Sequence, residues 1–208
     1  MVKPERLTRA LRESSADMVG LVELTSTQAV AVETLSDSYP YQYLNGAGIV
    51  GKGLVSRFPL HDAHLVELHP ERPDLYANAS PDGEDNPRKL RVIVAHPPPQ
   101  RTRMRMDQLV GLFRLAIAGE AGLLMGDFNM VRFEATYRRF SAGGLVDTHR
   151  EAGRGAGFTY PVRRYGIQLK PLMRLDFIWH TRHLRANRAW LGKDQGSDHL
   201  PIFADLTW

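Results

Sequence analysis

Cysteine is missing from the 208-residue chain. Disulfides, thiol nucleophiles and thiolate metal sites are therefore excluded. No apolar run approaches the length needed to cross a bilayer, and residues 1–17 carry too much charge for a signal peptide. With no membrane segment, a cytoplasmic location is the default. There is no internal repeat, linker or low-complexity tract, so one domain over residues 1–208 is expected. No ligand spacing suits zinc, and no glycine pattern suits a phosphate-cradling P-loop. Acidic residues are scarce in the second half. Residues 88–208 hold 20 Lys+Arg, mostly Arg, against 10 Asp+Glu, whereas residues 1–87 hold 7 against 13. Arginine forks match phosphate geometry, so a polyanionic substrate fits the basic half.

The stretch Leu123-Leu124-Met125-Gly126-Asp127-Phe128-Asn129 organises what remains. Its apolar run reads as a buried strand, and Gly126 lets the backbone turn out at its end. Alternation along an extended chain puts Asp127 and Asn129 on one face. Asp127 can bind a metal or accept a proton. Asn129 can donate to a phosphate oxygen or offer its carbonyl to a cation. Around this stretch the periodicity predicts helices over residues 4–16, 25–34, 103–118 and 133–140. Strands are predicted over 18–22, 39–43, 49–56, 63–68, 75–79, 89–95, 175–179, 189–191 and 202–206. Residues 80–87 read as a hairpin loop and 141–157 as a glycine-rich loop. Helices and strands in both halves point to α/β packing.

Polar groups recur at strand ends. Glu23 closes one strand, and His96 closes another ahead of three prolines that would hold it. Asp176 lies in the apolar run Arg174-Leu175-Asp176-Phe177-Ile178, where a carboxylate needs a partner. Asp198 and His199 stand at the mouth of the last strand. Hard oxygen ligands, a base for water and an imidazole for phosphate are what metal-assisted phosphoryl hydrolysis requires.

The blocks 16–23, 53–60, 92–96, Gly126-Asp127-Phe128-Asn129, 174–178 and Gly196-Ser197-Asp198-His199-Leu200-Pro201 run in an order that resembles the endonuclease/exonuclease/phosphatase superfamily. Thr159-Tyr160-Pro161 and the triple proline after His96 resemble its bacterial branch. The resemblance implies a DNase I-like four-layer α/β sandwich of two stacked mixed sheets. It implies that Glu23, Asp127, Asn129 and Asp198 supply metal ligands for Mg²⁺ or Mn²⁺. Asp127 would also orient or deprotonate the attacking water, and Asn129 would hold the phosphate or a metal. His199 would contact the scissile phosphate, with Asp176 orienting it and His96 nearby. The family also has a first strand, ending in a metal-site Asn, ahead of the helix matched by residues 4–16. This sequence opens on that helix, so an N-terminally short domain with one ligand fewer and unpaired sheet edges is expected. The loop after His96 lacks the Tyr and Asn of abasic-site enzymes.

The resemblance and the basic half together lead to a metal-dependent nuclease acting on DNA. Arg101, Arg103 and Arg105 beside His96, with Arg132, Arg138 and Arg139 after Asn129, would grip phosphates. A phospholipid or small phosphodiester substrate is the second reading. It calls for an exposed apolar hairpin, and none stands out in the sequence. An inactive nucleic-acid-binding remnant is the third, opposed by the intact Glu23, Asp127, Asp176, Asp198 and His199. A monomer is favoured over a strand-exchanged dimer.

Overall fold

The computed structural model describes residues 2–84, 88–164 and 167–208. The chain runs through α1 (Pro4–Ser14), β1 (Met18–Val22), α2 (Ser26–Glu33), β2 (Tyr41–Asn45), β3 (Lys52–Ser56), β4 (Leu60–Val66), β5 (Asp74–Ala79), β6 (Leu90–Ala95) and α3 (Arg103–Ile117). It continues through β7 (Ala121–Asp127), α4 (Ala135–Ala142), β8 (Leu145–Asp147), α5 (Thr148–Ala152), β9 (Arg163–Arg164), β10 (Ile167–Gln168), β11 (Asp176–Thr181), β12 (Arg185–Leu191) and β13 (Ile202–Thr207).

The aliphatic runs of β6 and β7 are buried on both faces, and they pair in parallel at the centre of a six-stranded mixed sheet ordered β4-β5-β6-β7-β11-β8. One face of this sheet packs on α3 and α4 through Leu109, Leu112, Tyr137, Phe140, Phe177 and Trp179. The other face packs on Leu54 of β3, with Met18, Val22 and Leu206 alongside. There lie a three-stranded sheet, β1-β3-β2, and the β12-β13 pair. Leu11, Val32, Leu35 and Tyr39 cover the outer side of the three-stranded sheet. The result is the expected four-layer α/β sandwich. Among the described residues β1 pairs only with β3 and β13 only with β12, so each has one open edge. No helix among them is long and apolar enough to cross a membrane.

Several boundaries differ from the sequence reading. The strand expected over 49–56 is split, because Leu24 bonds both Gly48 and Gly51 and folds Gly48–Val50 into a 3₁₀ turn. The glycine-rich loop expected over 141–157 holds β8 and α5. Leu145 is buried in the core, and the Asp147 carboxylate caps α5 by accepting the His149 and Arg150 N–H groups. Of the loop read over 80–87, residues 85–87 lie outside the described residues; β5 and β6 on either side pair antiparallel.

Gly126 has a different task from the one expected. The strand does not leave the sheet there but continues to Asp127. Gly126 has φ +140°, and a Cβ on it would stand 2.0 Å from the Ala95 carbonyl oxygen. Only glycine lets β6 and β7 close at the end that carries the polar groups. Gly126→Ala is expected to destabilise the protein by on the order of 3 kcal/mol in urea unfolding. A loss below about 0.5 kcal/mol, the range of neutral surface changes, would contradict this reading.

Candidate active site

The antiparallel register of β7 and β11 sets Asp176 directly opposite Asp127. Opposed residues in such a pair share a face, and two like charges there repel. His199, just before β13, answers both. Its Nδ1 lies 2.8 Å from Asp176 Oδ2 and its Nε2 3.8 Å from Asp127 Oδ2. Burial by itself would lower the pKa of this imidazole. The hydrogen bond and charge of Asp176, with Asp127 and Asp198 behind them, outweigh burial and raise it to about 9. His199 is therefore a cation at neutral pH, seated beneath the ring of Tyr160 with centroids 4.7 Å apart. Burial, then the Asp176 charge, pushes Asp127 up to about 7 against the pull of His199. Ligand atoms of Asp127, Asp176 and His199 all lie within 4.8 Å of one another. With the imidazole protonated the trio works as an acid–base set, and with it neutral its free nitrogen could join the carboxylates on a cation.

The loop after β7 is held from two sides. Asp127 Oδ1 accepts the Asn129 main-chain N–H at 2.8 Å, with Asn129 in the left-handed region at φ +48°. The Asn129 side-chain N–H donates to the Pro97 carbonyl at 3.0 Å, which leaves its Oδ1 for a ligand. Arg105 corrects an expectation. It is fully buried and donates to the carbonyls of Asn129 at 2.8 Å and Phe128 at 3.4 Å, while pairing with Glu134. It braces the loop from within and is not available to a substrate.

Glu23 leaves β1 at φ +55°, a second non-glycine residue in the left-handed region beside the site. His96 is buried between the carboxylates, with Nε2 3.8 Å from Glu23 Oε1 and 3.7 Å from Asp127 Oδ2. Even so, burial dominates, and with the charges of Lys52 and Arg72 it lowers the His96 pKa to about 4. The imidazole is neutral at pH 7. Its main-chain N–H donates to Asp74 Oδ1 at 3.3 Å, and Asp74 Oδ2 accepts from Gln108 at 2.8 Å. Lys52, Asp74 and Gln108 are buried supports that the sequence reading missed. A lysine opening the run Gly53-Leu54-Val55 was the one available signal.

The expected metal ligands divide into two groups. Glu23 has its pKa raised by burial and then by the Asp198 charge, so these carboxylates share a neighbourhood. Both reach solvent. Hard oxygens that repel one another at the surface suit a divalent cation. Asp127 and Asn129 sit on the inner side, and among the described residues Glu23, Asp127 and Asp198 do not close into one tight group. Arg101 and Arg103 are exposed on either side of the α3 start, paired with Glu134 at 3.4 Å and Asp107 at 3.9 Å. Arg132, Arg138 and Arg139 are exposed after Asn129. The segment around Tyr160 also corrects the sequence reading. Within and on either side of the β9–β10 pair the chain exposes Ile167 (66%) and Leu172 (69%), with Phe158, Leu169 and Met173 less so.

The model of the Endonuclease/Exonuclease/phosphatase family matches residues 2–199. Comparison with the curated proteins found no match. Among solved structures, D. rerio TDP2 complexed with a single-strand DNA product is similar at 18% identity and TM-score 0.78, over 99% of this chain and 91% of that one. The Neisseria 3′ phosphatase NExo, bound to a product DNA hairpin, is similar at 18% identity and TM-score 0.77, over 98% and 94%. A mannosyl-6-phosphatase of Bacteroides thetaiotaomicron VPI-5482 is similar at 15% identity and TM-score 0.72, over 99% and 90%. At these identities the likeness carries the fold.

The state of His96 has a consequence for stability. Its folded pKa is about 4, below the ordinary histidine value of 6.5. As pH falls below 6.5 the unfolded chain takes up a proton that the folded chain refuses, so stability is lost down to about pH 4. The stability advantage of wild type over His96→Asn is expected to shrink by on the order of 1–2 kcal/mol between pH 7 and pH 5 in urea unfolding. An advantage that stays constant or grows would mean that His96 is charged in the folded state.

Proposed function

The chain belongs to the endonuclease/exonuclease/phosphatase family, and from that premise we propose that it is a divalent-metal-dependent nuclease that hydrolyses phosphodiester bonds in DNA. Members of the family are phosphoesterase hydrolases. The observation that carries the proposal is the Asp127–His199–Asp176 arrangement. It places a carboxylate with a pKa of about 7 beside an imidazolium with a pKa of about 9. A base poised near neutrality suits removal of a proton from water. A fixed cation suits the charge that develops on phosphoryl oxygens.

In this reading Asp127, held by the Asn129 main-chain N–H, orients water and takes its proton. Asp176 keeps the His199 proton on Nδ1 engaged, so that Nε2–H faces the phosphoryl group. Asn129 Oδ1 and the neutral His96 complete the polar wall. Glu23, with Asp198 beside it and Asp127 and Asn129 opposite, would hold Mg²⁺ or Mn²⁺, which supplies positive charge against the phosphate. Arg101, Arg103, Arg132 and Arg138 would follow the DNA backbone. Support for DNA as the substrate comes from this basic rim and from TDP2 and NExo, both with product DNA in their structures.

A second reading has its own support. The apolar side chains exposed between Phe158 and Met173 lie beside Tyr160 and could face a phospholipid or other small phosphoester, and one structural neighbour is a mannosyl-6-phosphatase. A panel decides between the readings: plasmid and oligonucleotide DNA, bis(p-nitrophenyl) phosphate, mannose 6-phosphate and phospholipid vesicles, each with Mg²⁺ and with EDTA. The nuclease reading expects DNA to be cleaved fastest, with EDTA abolishing it. Cleavage confined to the other substrates favours the second reading. Hydrolysis of nothing on the panel favours an inactive binding remnant.

Mutants separate the roles. His199→Ala and Asp127→Ala are each expected to lose on the order of 10²-fold or more in rate. Full activity of Asp127→Ala at saturating Mg²⁺ would remove it as the base. Asp176→Asn should lose less at pH 6. Because its His199 pKa falls, it should lose activity at a lower pH than wild type, whose His199 stays protonated to about pH 9. In calorimetry, Glu23→Gln is expected to weaken Mg²⁺ binding at least roughly tenfold, within the range for loss of one charged ligand. Unchanged binding would place the metal elsewhere.

A further inference from the structure

Phe133 is 78% exposed, more than any other large hydrophobic side chain among the described residues. It lies in the segment Asn129-Met130-Val131-Arg132-Phe133-Glu134, which joins β7 to α4. A hollow of about 360 Å³ opens beside it, lined by Phe133, Val131, Met106, Arg101, Arg105 and Glu134. The hollow adjoins the candidate active site through one side chain, because the buried Arg105 that lines it also holds the Asn129 carbonyl at 2.8 Å. The Arg105 Nε has no hydrogen-bond partner. Arg132 places its guanidinium carbon 5.5 Å from the Phe133 ring centroid, and the exposed Arg101, paired with Glu134 at 3.4 Å, also lines the hollow. A flat apolar ring beside an Arg-flanked hollow, next to the Asn129 loop, matches the chemistry of an unpaired nucleotide.

We infer that Phe133 is the stacking platform for an unpaired nucleobase next to the scissile phosphate, with Arg132 and Arg101 on the adjoining backbone phosphates. This rests on the phosphodiesterase reading and narrows its substrate to single-stranded or frayed nucleic acid, since a base inside a duplex has no free face to offer. Stacking tolerates all bases, so the preference is for an unpaired strand and not for a sequence. The stem of Phe133 packs on little, so its truncation leaves the fold in place.

The test uses single-stranded 12-mers in which one base at a time is replaced by a base-less tetrahydrofuran residue. In wild type, loss of the base at one position beside the cleaved bond should lower kcat/KM roughly tenfold, through KM. Phe133→Ala should cleave the intact 12-mer roughly tenfold less efficiently and be indifferent to loss of that base. Both proteins should hydrolyse the 12-mer that lacks that base equally. The same sensitivity to base removal in wild type and Phe133→Ala would overturn the inference. Binding supplies a readout that needs no turnover. In EDTA, emission added by Phe133→Trp should be quenched by the intact 12-mer and not by the one lacking that base. Equal quenching by both, or none, would overturn the base site. A wild type that hydrolyses no phosphodiester overturns the reading above, while the quenching still decides the base site.

Discussion

Two carboxylates held face to face are the constraint on which the rest of the site depends. Pairing of β7 with β11 leaves Asp127 and Asp176 no freedom to separate, because Gly126 and Phe177 are paired one step further in. Neither carboxylate reaches bulk water freely. Such a pair persists only if a cation joins it or one member takes a proton. The structure uses both. His199 donates to Asp176, and Asp127 is left with a raised pKa. The stable arrangement of the two strands is thus also a proton acceptor next to a fixed positive charge.

The two imidazoles near Asp127 Oδ2 illustrate how surroundings set roles. His96 and His199 lie 3.7 and 3.8 Å from the same oxygen. Burial, with the Lys52 and Arg72 charges added, lowers the pKa of the first to about 4, and the carboxylates around the second outweigh burial and raise it to about 9. A neutral ring beside a charged one gives the pocket a polarity that distance alone would not reveal. Asp74, Gln108 and Lys52 serve the first ring and Asp176 serves the second. The buried Arg105 does similar service for the Asn129 loop. An arginine counted from sequence as a phosphate contact is in fact a brace, since its two terminal nitrogens are engaged by two carbonyls and a carboxylate inside the protein.

Much of this was legible in the sequence, and the limits have physical causes. Polar groups at the ends of apolar strands, Glu23, His96 and Asp127 at the close and Asp176 at the start, could be read because the strand period and the polar interruption coincide in a short window. The convergence of Asp176 on His199 required the family resemblance, since the two are 23 positions apart and nothing local links them. The helix α5 was hidden because glycines flank it at Gly143, Gly144 and Gly153 and its cap, Asp147, belongs to a three-residue strand. The exposed apolar segment from Ile167 to Leu172 was hidden because Ile167, Leu169 and Leu172 look like core residues until burial is known. Charge counting found the basic half and could not tell Arg105 from Arg103, one fully buried and the other almost fully exposed.

The central claim is that His199 is a cation held between Asp176 and Asp127. Nitrogen-15 NMR of the imidazole rings across pH, on the metal-free protein, measures this directly. The account predicts that both His199 nitrogens stay protonated through neutrality and titrate near pH 9, while His96 stays neutral down to about pH 4. A His199 titrating at or below 6.5, the ordinary histidine value, would contradict it.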